Sequence, residues 1–158
     1  MAISPEVSKV HVAAELERAR PLLDAQGWQI EVFDGLRMQA SILAPSINGA
    51  EPELFTYEFN FENYRELPPI VDALNLETGE RNTPKCFPTG GRGYYHGNQR
   101  ICARWSRNAY GVMSGPHGDW PIGDWAAADS KHSDIGSMLT LLRNLLFQPE
   151  SGYAGRAA

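Results

Sequence analysis

Asn98 stands four positions before Cys102 in the stretch His96-Gly97-Asn98-Gln99-Arg100-Ile101-Cys102, and the only other cysteine in the chain is Cys86. A thiol and a side-chain amide that close in sequence could converge on one carbonyl carbon. The thiolate would attack the carbon, and the amide N–H would hydrogen-bond the charge developing on the oxygen. That is acyl transfer through a thioester. Cys102 is the candidate nucleophile, Asn98 the candidate oxyanion donor or loop anchor, and His96 a loop-fixing residue rather than a base.

Such a motif works only if regular elements hold it. Val12, Leu16, Ala19 and Leu23 recur at helical spacing, with Leu22 widening the stripe, and Glu15, Glu17, Arg18 and Arg20 cover the other face. The spacing predicts a helix from Pro5 or Ser8 to Ala25, stopped by Gly27. Trp28 to Phe33 alternates like a half-buried strand, Asp34-Gly35 signals a hairpin turn, and Leu36 to Leu43 reads as its partner. Leu54 to Phe61 has high β propensity. The chain breaks at Pro68-Pro69 and restarts at Ile70-Val71.

From Asn75 to Gly93, Gly, Pro, Asn and Thr predict a long loop, of the kind that often carries function. Ile135, Met138, Leu139, Leu142, Leu145 and Leu146 predict a last helix, capped by Ser133 or Asp134 and stopped by Pro149. The expected architecture is α+β: helix, four-strand antiparallel meander, irregular active-site region, helix. The expectation is one domain over residues 1–150, with a frayed tail over 151–158.

Composition narrows the function classes. Hydrophobic residues at 42% and charged residues at 21% belong to a globular chain. A net charge of −5 argues against binding nucleic acid, because nothing offsets phosphate repulsion. The N-terminal residues carry no basic-then-apolar leader, no window is apolar enough to span a bilayer, and a cytoplasmic location is expected. There free thiols stay reduced. Cys86, His96, Cys102 and His117 have no recognised zinc spacing, so neither metal nor cofactor is expected. Gly90, Gly91 and Gly93 hint at a phosphate cradle, but no strand and helix frame them.

In this order the elements and motifs resemble the ubiquitin-conjugating (UBC-fold) family. Pro68-Pro69-Ile70-Val71 resembles the family's Pro-Pro segment, His96-Gly97-Asn98 its His-Pro-Asn, and Arg100-Ile101-Cys102 the Gly-Glu-Ile-Cys bearing the nucleophile. Trp125 and the helix from Ser133 to Phe147 resemble the tryptophan and helix that follow. Gly97 stands in place of the proline, Ala103-Arg104 in place of Leu-Asp, and the segment from Pro69 to His96 is longer than the family's. The single helix after Cys102 is similar to the short bacterial members of antiphage operons (CBASS-type or ubiquitin-like).

The resemblance implies a UBC-like fold and a conjugating-type cysteine acyltransferase. Cys102 would carry a protein C-terminal acyl group, from a cGAS-like nucleotidyltransferase or a ubiquitin-like protein, and pass it to an acceptor such as a lysine. A separate adenylating enzyme is implied, since the chain has no nucleotide-binding motif. The resemblance also implies that an acidic or hydroxyl group after the cysteine assists the incoming amine, and Asp119, Asp124 and His132 are the candidates. Trp105, Trp120 and Trp125 read as core or lid, and Cys86 as a packing residue. Two alternatives remain open: a non-catalytic UBC-like binding module, and a cysteine hydrolase with His96 or His117 as its base.

Overall fold

The computed structural model describes residues 3–158. Helix α1 (Pro5–Gln26) starts where the Ser4 hydroxyl accepts the Glu6 N–H, and it ends at Gly27 in the left-handed region. Strands β1 (Gln29–Phe33), β2 (Arg37–Leu43), β3 (Leu54–Asn60) and β4 (Ile70–Leu74) form one antiparallel sheet in chain order. The β1–β2 turn places Asp34 and Gly35 at positive φ, as the Asp-Gly pair predicts. After a two-strand hairpin, β5 (Tyr95–His96) and β6 (Arg100–Ile101), comes a largely irregular stretch with the single-turn helix α2 (Trp125–Ala128). Helix α3 (Ile135–Phe147) closes the order, and its cap is Asp134, in a reciprocal box with Ser137.

Period-two burial sets the sheet's inner face: Met38, Ala40 and Ile42 from β2, then Phe55, Tyr57 and Phe59 from β3, all at or near zero exposure. These join Val12, Leu16 and Leu23 of α1 and Met138, Leu139 and Leu142 of α3 in one core. Trp105 enters the same core and lies parallel to Phe59, centroids 6.3 Å apart. The helices meet at Gly136, where a Cβ would sit 2.9 Å from that of Ala19. Only glycine admits that approach.

Glu15 lies on α1 at 5% exposure, and a carboxylate so deep requires partners. The Tyr64 hydroxyl donates to it at 2.6 Å, the Ile135 N–H at 2.9 Å and Arg65 at 3.3 Å. One side chain thus ties α1, the segment after β3 and the start of α3.

The frayed tail expected over 151–158 is corrected. Arg156 lies over the Phe55 ring and donates to the Leu54 and Lys85 carbonyls at 2.7 and 2.8 Å. The Ala157 N–H reaches the Phe87 carbonyl, and Thr89 N–H reaches that of Gly155. A guanidinium spread over an aromatic face, with backbone pairing beside it, outweighs the entropy of a short free end. The 75–93 loop is also ordered: the Asn75 side chain accepts the Glu77 and Thr78 N–H groups, and Cys86 and Phe87 are fully buried.

Replacing Glu15 with alanine strands the Ile135 N–H and the Tyr64 hydroxyl. The expected loss is about 3 kcal/mol. It should appear as a lower urea midpoint with an unchanged m-value, and a melting temperature about 6–12 °C lower.

Candidate active site

Cys102 continues the β5–β6 hairpin past its last ladder pair: its N–H donates to the Tyr94 carbonyl at 2.7 Å. Alternation along this strand buries Ile101 and Ala103 and leaves Arg100, Cys102 and Arg104 partly exposed. The thiol is therefore reachable but not free in solvent.

The hairpin turn explains the residues before it. Gly97 and Asn98 both have positive φ, and the Asn98 and Gln99 N–H groups return to the Tyr95 and His96 carbonyls. Asn98 serves the turn through its tolerance of the left-handed region. Its amide makes no hydrogen bond among the described residues, and His96 is exposed beside it without one. The ladder pairs His96 with Arg100, two residues before Cys102, and no hydrogen bond joins Asn98 or His96 to the Cys102 thiol among the described residues.

It brings His117. The Cys102 sulfur lies 2.9 Å from His117 Nε2. The fourteen residues between them fold back as a loop closed by several bonds. His117 N–H donates to the Ala109 carbonyl and Gly115 N–H to that of Tyr110. One Arg100 Nη donates to the Asn108 and Ser114 carbonyls, at 3.2 and 3.1 Å. Gly115 is required there, because a Cβ would fall 2.3 Å from the Ala109 carbonyl carbon.

The loop is moored to the sheet by Asn108 and Arg107. Asn108 accepts the Val71 N–H at 2.8 Å and donates to Asp72 at 3.1 Å. Arg107 uses its own N–H and its side chain on the carbonyls of Pro69 and Pro68. The Pro-Pro segment thus contributes acceptors to the floor of the site.

The imidazole of His117 stacks on the Trp120 indole, centroids 3.5 Å apart and planes within 7°. Arg104 packs its guanidinium 4.1 Å from the same indole centroid. Tyr110 meets Trp120 edge-on and donates its hydroxyl to the Arg104 carbonyl. Trp120 is thus part of the site rather than core, whereas Trp105 and Trp125 are buried.

None of Asp119, Asp124 and His132 is hydrogen-bonded to Cys102 or His117 among the described residues. Asp119 and Asp124 are exposed and make no side-chain hydrogen bond or ion pair among the described residues. His132 is paired with Asp129 at 2.9 Å. Cys86 is sealed in the core, its thiol 3.4 Å from the Glu80 carbonyl, and it fills space. Among the described residues, no group of three or more His, Cys, Asp or Glu side chains could hold a metal ion. No helix among them is long and apolar enough to cross a membrane.

Burial pushes the Cys102 thiol above its ordinary range, and the charge of Arg100 pulls against that rise. The thiol faces His117 Nε2, a ring nitrogen that can accept its proton in the tautomer that leaves Nε2 bare. The arrangement can carry out nucleophilic attack with base assistance. No family model and no curated protein matches the chain.

A raised thiol pKa lowers the thiolate fraction at any given pH. The rate of Cys102 alkylation by iodoacetamide is therefore expected to keep climbing beyond the pH at which an ordinary cysteine levels off. Peptide mass spectrometry of the native protein should find the label on Cys102 and none on Cys86.

Proposed function

We propose that the chain is a UBC-like cysteine acyltransferase that carries a protein C-terminal acyl group as a thioester on Cys102. The observation that carries this reading is the half-exposed Cys102 sulfur 2.9 Å from His117 Nε2, at the end of a hairpin rather than in a closed cavity. The order of helix, antiparallel sheet, irregular active-site region and helix supports the UBC-like assignment of the fold.

Two steps follow. In the first, the Cys102 sulfur attacks the carbonyl carbon of an activated acyl group, a thioester or acyl adenylate supplied by a separate adenylating enzyme. The S–C bond forms, and the bond to the leaving thiolate or AMP breaks. The thiol proton passes to His117 and on to the leaving group. In the second, an acceptor amine attacks the Cys102 thioester, His117 takes the amine proton, and the Cys102 thiol is regenerated as the amide forms. The resemblance names the cargo as a cGAS-like nucleotidyltransferase or a ubiquitin-like protein, in bacterial antiphage defence. Nucleic acid and membrane have no part in this scheme.

The Cys102–His117 contact also favours a second reading, a cysteine hydrolase in which water replaces the amine. Against it, His117 Nδ1 has no carboxylate partner among the described residues, and such a partner commonly orients the base of a hydrolase. A sulfur sealed in the core would have favoured a non-catalytic binding module, and Cys102 is partly exposed.

The test supplies an adenylating enzyme, ATP and a glycine-terminated candidate cargo. A thiol-reducible adduct is expected on the wild type and none on Cys102→Ala. His117→Gln should keep the adduct but slow its transfer to lysine by about 10²–10⁴-fold. Absence of any reducible adduct overturns the proposal. Release of the cargo to water at the same rate with and without amine selects the hydrolase.

A further inference from the structure

The imidazole of His117 lacks the acid that would normally set its ring plane, yet its Nε2 faces the sulfur at 2.9 Å. What does contact the ring is the Trp120 indole, parallel to it at 3.5 Å. Arg104 approaches that indole to 4.1 Å. An imidazole ring and a guanidinium cannot both occupy one indole face at these distances without overlapping, so they lie on opposite faces. The sequence order makes the sandwich possible. Arg104 follows Cys102 by two residues in the turn after the hairpin, and Trp120 follows His117 by three. A turn bond from the Trp120 N–H to the His117 carbonyl closes that second spacing. Tyr110 meets the indole edge-on, which limits its tilt.

We infer that Trp120, clamped between Arg104 and His117, is the positioning residue that aims His117 Nε2 at the Cys102 sulfur, in the role a carboxylate fills in other cysteine–histidine pairs. The inference rests on the proposed roles of Cys102 and His117. An anionic partner on Nδ1 would hold the ring by a hydrogen bond and also favour its protonated form. A stacked indole fixes the plane without adding a negative charge beside the ring, and Arg104 brings a positive charge to its far side. The base is thereby aimed without a carboxylate beside it. A thiol nucleophile that must survive between cargo loading and transfer gains selectivity from that arrangement.

Alkylation of Cys102 by iodoacetamide at pH 7 tests this without any acyl donor: the S–C bond forms, iodide leaves and His117 takes the proton. Trp120→Ala is expected to slow it by about 10–100-fold, the cost of misplacing a base by roughly 1 Å. Trp120→Phe, which retains a face to stack on, should restore the rate to within about 3-fold of wild type. The decisive measurement is the double variant. If Trp120 acts through His117, then Trp120→Ala adds no further loss to His117→Gln. Additive losses overturn the inference, as does a Trp120→Phe rate as low as that of Trp120→Ala. An His117→Gln variant alkylated as fast as wild type overturns it too. Should Trp120→Ala fail to fold by circular dichroism, Arg104→Met decides instead. Its loss must vanish in the His117→Gln background, and a loss that persists there overturns the inference. Coupled alkylation rates without any reducible acyl adduct would leave the positioning role standing and remove the acyltransferase reading.

Discussion

Buried backbone groups must be hydrogen-bonded, and between Ile101 and Ile135 there is almost no regular structure to do it. The whole site depends on how that requirement is met. Short backbone turn bonds meet much of it within the segment, and Arg107 and Asn108 tie the segment to Pro68, Pro69 and β4. Arg100 then ties the two ends of the loop that precedes His117. Each is a polar side chain drawn inward to stand in for a missing strand. An Arg or Asn removed from such a position leaves several carbonyl or N–H groups unpaired together, so the loop has few intermediate states between formed and lost.

That mooring gives the catalytic geometry its character. The thiol sits on a hairpin continuous with the core through Ile101, while the base sits on a loop held by side chains and one close backbone approach at Gly115. The hairpin carries the thiol and the loop carries the imidazole. The stacked Trp120 fixes the imidazole plane after the loop has fixed its position. The C-terminal segment acts at the other end of the hairpin: Gly90 and Gly91 pack against Ser151, Gly152 and Tyr95 with no room for a Cβ.

Much of the scaffold was legible in the chain. Helical spacing over Val12, Leu16 and Leu23 and again over Ile135 to Leu146 named both long helices, because one buried face imposes that period. Alternation and an Asp-Gly turn named the first hairpin for the same kind of reason. The site was half legible. Cys102 stood out by its flanking residues, but Asn98, beside Gly97, was equally consistent with a turn, and the turn is what it makes. The tail was misjudged because small residues look entropically free. The cation that holds it, Arg156, is the tail's own, but the Phe55 ring it rests on belongs to a strand far away in sequence.

The sequence by itself determined the two long helices, the antiparallel sheet and that the fold is α+β. Those properties follow from local periodicity and from the order of elements. Only the tertiary structure decided the partner of Cys102. His117 lies fifteen residues on, past turns with no period, and its arrival at 2.9 Å depends on bonds from Arg100, Arg107 and Asn108 to backbone elsewhere. No local pattern encodes a contact that exists only once a loop has closed.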